Sequence, residues 1–83
     1  MTPPSAGAVR AGRLGTIRRA IDLIDAASPA DLASYLARTS LHYHIKADPA
    51  VLRQHLATAG DTGSVFGAWK AAQQLLEAAG LPT

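Results

Sequence analysis

A chain of 83 residues with a net charge of +2 and no cysteine has room for one domain with a modest core, and hardly for an enclosed active site. The absence of thiols removes disulfide frameworks, thiolate metal sites and cysteine nucleophiles together. No apolar run approaches the roughly 20 residues of a membrane span, and the N-terminus lacks the apolar stretch of a secretory signal, so the expectation is a soluble, cytoplasmic protein without a membrane partner. Hydrophobic residues make up 48% of the chain, but alanine supplies much of that. Only Tyr35, Tyr43, Phe66 and Trp69 bring aromatic bulk, which predicts a small, leucine-rich core.

Residues 1–15 contain Pro3, Pro4, Gly7, Gly12 and Gly15 with little periodicity and read as a flexible, disordered arm ahead of a helical domain over 16–83. The arm is also where the positive charge sits. Arg10, Arg13, Arg18 and Arg19 follow one another with no acidic residue among them, and all six acidic residues of the chain come later. A basic arm beside a near-neutral body is a footprint for phosphate binding, and serves solubility equally well.

Four helices are predicted behind it, approximately 16–27, 29–39, 48–59 and 64–79. Thr16 is placed to cap the first, whose Ile17, Ala20, Ile21, Ile24 and Ala27 recur at helical spacing. Pro29 stops it and opens the second: Ser28 suits the cap, Pro29 the first helical position, and Asp31 the positive helix end. Leu32, Tyr35 and Leu36 are its inward residues. Between Leu41 and Ile45 apolar and polar residues alternate at period two, as in a half-buried strand, while Leu36, Ser40 and Tyr43 keep a loose helical register. Residues 40–46 are therefore either a short extended connection or a fraying helix end.

Asp48-Pro49 repeats the cap-plus-proline start. Val51, Leu52, His55, Leu56 and Ala59 supply one apolar face, and Gly60 offers a left-handed C-cap. Thr62 or Ser64 can cap the last helix, which carries Val65, Ala68, Trp69, Ala72, Leu75, Leu76 and Ala79 on a continuous stripe before Gly80 and Pro82 end it. Trp69 is the expected anchor of the core, against Leu52, Leu56 and the first helix, with truncation costing about 3–5 kcal/mol. Phe66 lies off that stripe, so it is wrapped by residues 40–46 or left pointing outward; the first is expected.

These last two helices, the joint Gly60-Asp61-Thr62-Gly63 and the phrase Leu75-Leu76-Glu77-Ala78-Ala79-Gly80-Leu81 resemble the support and recognition helices of helix-turn-helix and winged-helix DNA-binding domains. The resemblance covers about thirty-five residues. It departs from the family in a turn longer than the usual three or four residues, and no strands of a wing follow. It implies double-stranded DNA as partner and a recognition helix that presents Thr62, Ser64, Lys70, Gln73 and Gln74 to a major groove. That face is thin in base-reading side chains. Arg10, Arg13, Arg18 and Arg19 would then contact phosphates or track a minor groove, as homeodomain arms do.

Other chemistry finds little support. His42-x-His44, with His55 and Asp48, has metal-ligand residue types, yet histidines so few and so separated read better as solvated or core-edge residues, and no metal or other cofactor is expected. No nucleophile elbow or P-loop lysine occurs, and Asp22, Asp25 and Asp31 look like surface and capping carboxylates, so an enzyme is not expected. The fold expectation is an all-α four-helix bundle with a C-terminal helix-turn-helix-like hairpin. The function expectation is a small DNA-binding or transcription-regulatory protein. The alternative is a protein-interaction or homodimerisation module that docks through Tyr35, Leu41, Tyr43, Ile45 and Phe66.

Overall fold

Helix starts and stops are where this sequence is most explicit. Ser28 has an extended backbone (φ −67°, ψ 154°), and its Oγ accepts a hydrogen bond from the Asp31 N–H at 3.1 Å. Asp48 acts alike: its Oδ1 accepts from the Ala50 N–H at 2.9 Å. At the other end of the chain Gly80 adopts φ 77°. Its N–H donates to the Glu77 carbonyl at 3.0 Å while the Leu81 N–H donates to Leu76 at 2.9 Å, the paired bonds of a Schellman stop.

The computed structural model describes residues 6–39, 48–62 and 65–83. Among them the chain forms four helices and no strand: α1 Ala6–Ala26, α2 Pro29–Ala37, α3 Pro49–Thr62 and α4 Val65–Ala78. The all-α fold is as the periodicity predicts. The segment 40–46, expected as a short extended connection or a fraying helix end, lies outside the described residues.

Two boundaries differ from expectation. The first helix begins at Ala6, ten residues before Thr16, so the part of the arm from Ala6 to Gly15 is helical. An interior glycine costs a helix only about 1 kcal/mol relative to alanine, and Ala6, Ala8 and Ala11 around it favour the helix. Thr16 is accordingly no cap. It is buried mid-helix, and its hydroxyl donates back to the Gly12 carbonyl at 3.2 Å. Similarly, α3 continues through Gly60, Asp61 and Thr62. Three of the four residues expected in the joint are thus helical, and the fourth, Gly63, lies outside the described residues.

The core is one cluster drawn from all four helices. Helix α1 contributes Ile17, Ala20 and Ile24; α2 contributes Leu32 and Leu36; α3 contributes Leu52, Leu56 and Ala59; α4 contributes Val65, Ala68, Ala71, Ala72, Leu75 and Leu76. The α3 stripe is narrower than predicted, because Val51 and His55 face outward. Trp69 is not the central anchor either. It is half-buried at the margin, and the largest fully buried side chains are Leu36, Leu52, Leu56, Leu75 and Leu76. An aromatic ring needs more room than a core lined by alanines provides.

Helix α1 packs most extensively on α4, then on α3. Arg53 of α3 donates two hydrogen bonds to the Asp25 carboxylate near the end of α1, at 2.7 and 3.0 Å. Leu14 and Arg18, further back on α1, share a groove with Leu56 and Ala57. These two contacts make α1 and α3 antiparallel. The start of α1 consequently lies toward the end of α3 and the beginning of α4.

Candidate nucleic-acid interface

The packing of α4 decides what that end of the bundle displays. Val65, Ala68, Ala72, Leu75 and Leu76 turn inward, which leaves Phe66, Lys70, Gln73 and Glu77, spaced by four, three and four, along the outer side. Phe66 is 54% exposed. Trp69 stands next to it with ring centroids 5.7 Å apart and planes inclined at 56°.

Two cations close on this ring pair from different helices. The Arg13 guanidinium carbon lies 4.6 Å from the Trp69 ring centroid and 5.3 Å from that of Phe66. The Lys70 ammonium lies 5.1 and 5.6 Å from the same rings. At exposed sites each such contact contributes about 0.5–1 kcal/mol, enough to orient the side chains without neutralising them. No carboxylate pairs with Arg13 or Lys70 among the described residues.

The predicted phosphate-binding residues are thus brought together only in part. Arg10 precedes Arg13 by about one turn of α1 and is exposed. Arg18 is also exposed but faces the groove toward α3. Arg19 is committed elsewhere: one guanidinium nitrogen donates to the Thr83 carbonyl at 3.1 Å and to the Thr16 hydroxyl at 3.3 Å. Lys70 is exposed and Gln73 and Gln74 are half-exposed. Thr62 falls in the last turn of α3 rather than in a joint, and Ser64 lies outside the described residues.

Of the remaining arginines, Arg38 donates to the Ala78 carbonyl at 3.1 Å and steadies the end of α4, a favourable place for a cation. Arg53 is held by Asp25. Its hydrogen bonds keep the Asp25 carboxyl below the ordinary range, and the carboxylate in turn raises the Arg53 pKa.

Sequence reasoning named Arg13 and Lys70 but missed the rings between them. The signal was present: Arg13, Ile17, Ala20 and Ile24 are spaced by four, three and four, so a helix extended back past Thr16 sets Arg13 above the inward stripe. Phe66, noted as off the stripe of its own helix, is the outward alternative. The other residues of the apolar docking face are Tyr35, half-buried against the core, and Leu41, Tyr43 and Ile45, which lie outside the described residues.

Among histidines and acids, His55 is exposed on α3 and Asp48 caps its start, while His42 and His44 lie outside the described residues. No three metal-ligand side chains converge among the described residues. No helix among them is long and apolar enough to cross a membrane. Comparison with protein-family models, with curated proteins and with solved structures gives no significant match.

Proposed function

We propose that this chain is a small, non-enzymatic DNA-binding protein of helix-turn-helix type, cytoplasmic and regulatory, in which α4 meets double-stranded DNA and α3 supports it. The observation that carries the reading is the pair Arg13 and Lys70, two cations of different helices that converge on the same two rings near the start of α4. Lys70 and Gln73 stand on the outer stripe of that helix, where a recognition helix places its contacts. The close succession of α3 and α4 suits a helical hairpin. Arg10 and Arg13, being helical, act as phosphate contacts on a rigid support rather than as a strand threaded along a minor groove. Arg18 extends the positive surface, and a homodimer would double the footprint at matched half-sites.

The test is fluorescence anisotropy of labelled duplex DNA over a range of salt concentrations, for the wild type and for Arg13→Gln/Lys70→Gln. Each lost phosphate contact lowers the slope of log K against log salt by about 0.9, so the double variant is expected to lose about 2 units of slope. An absence of wild-type binding at low salt overturns the proposal. The second reading, a protein-interaction or homodimerisation module, is favoured by the exposed Phe66 and takes over in that event.

A further inference from the structure

The proposed duplex contact leaves Phe66 without a role. A ring 54% exposed at the rim of a positive surface exposes apolar area that a phosphate backbone does not cover. Its neighbours define what would cover it. The Arg13 and Lys70 charges, uncompensated by any described carboxylate, call for an anion within a side chain's reach of the ring. The ring is shared with those two cations and with Trp69, and the part of it left open to solvent calls for a flat apolar group. A nucleotide joins both: the base stacks on an aromatic face, and its phosphate meets the adjoining cations. A peptide would need an acidic group and a flat ring on separate side chains to meet the same demands, whereas one nucleotide carries both in a single unit.

We infer that Phe66 is a stacking platform for an unpaired base, with Arg13 and Lys70 as its phosphate clamp, so that the site takes single-stranded or locally opened DNA in preference to intact duplex. This rests on the reading of the α1 and α4 end as a nucleic-acid surface and names the form of nucleic acid it selects. In duplex DNA the bases are stacked on one another and cannot reach the ring without being turned out of the helix, at a cost of a few kcal/mol.

Trp69 is the only tryptophan of the chain and touches the site, so its emission reports occupancy directly. The full chain is titrated with oligothymidylate, with a blunt duplex of equal length, with an abasic strand carrying the same phosphates, and with oligoglutamate of equal charge. Oligothymidylate is expected to quench Trp69 and to bind more tightly than the other three. Stacking of one base corresponds to about 5- to 150-fold in affinity. Phe66→Ala, at an exposed position, is expected to lose that factor toward oligothymidylate while leaving the abasic strand unaffected.

Equal binding of the thymidylate and abasic strands, or oligoglutamate binding as well as either, overturns the stacking inference. Duplex bound more tightly than thymidylate, with Phe66→Ala indifferent, overturns it as well and leaves the DNA-binding proposal standing. If no nucleic acid binds, both fall.

Discussion

Leu75→Ala tests how this alanine-rich domain is held together. Leu75 is 0% exposed, and the other largest fully buried side chains of its cluster are leucines from three helices. Truncation removes three carbon atoms, worth about 2.4 kcal/mol of transfer at roughly 0.8 kcal/mol per methylene. The vacated volume adds to that, because helices already in contact through alanine cannot close further. The observed range for such changes is about 2–5 kcal/mol, and a value near 3 kcal/mol is expected here. A domain of this size has a total stability of about 4–12 kcal/mol, so the change consumes a large share of it. At about 4–8 °C per kcal/mol, thermal melts followed by circular dichroism at 222 nm should show the midpoint fall by about 12–24 °C. Urea titration gives the same difference independently of temperature. Val51→Ala, at a side chain 46% exposed, is the control and should stay within about 0.5 kcal/mol of the wild type. A Leu75→Ala effect no larger than the Val51→Ala effect would refute the placement of Leu75 at the centre of the cluster.

Other perturbations probe the ends of the helices. Ser28→Ala removes the acceptor for the Asp31 N–H and should cost about 1 kcal/mol in a urea titration; an unchanged midpoint contradicts the cap. Gly80→Ala meets no atom within 4 Å of the added Cβ. Its cost is therefore the left-handed backbone alone, about 1–2 kcal/mol, and a stabilised variant would show that the turn is not left-handed. The Asp25 carboxyl, held below its ordinary value of 3.8 by Arg53, contributes stability that is complete above that value and is lost as pH falls through its lower folded value. The difference in stability between wild type and Asp25→Asn should accordingly shrink below about pH 4, and a carboxyl titration by NMR that gives Asp25 a value above 3.8 contradicts the pair.

Helix boundaries marked by a cap and a proline were legible in advance: Ser28-Pro29, Asp48-Pro49 and Gly80 all act as their chemistry dictates. The interior leucines and alanines of α4 followed from their spacing in the same way. What misled was glycine without proline. Gly12, Gly15 and Gly60 look like breaks by residue type, yet all three lie inside helices, and one unfavourable residue does not outweigh a continuous hydrogen-bonded turn. The candidate site was half legible for the same reason. Lys70 is exposed on a helix whose stripe was identified, so its position followed directly. Arg13 required knowing that α1 begins at Ala6, and only a helix there carries its guanidinium onto the rings of Phe66 and Trp69. Trp69 shows a further limit: periodicity places a residue on the inward side but says nothing of whether its volume fits.

Ala20 on α1 and Ala68 and Ala72 on α4 have no solvent-accessible surface. Where two helices meet through side chains of one carbon, their spacing is set by backbone against backbone and cannot be tuned by rotamer changes. Bulk added at any of the three positions would act as a wedge, tilting one rod against the other. That tilt would be greatest at the far tip, where Arg13 reaches across to Trp69. The smallest residues in the interior thus bear on the outermost contact, since the spacing of α1 and α4 sets how far Arg13 stands from Trp69.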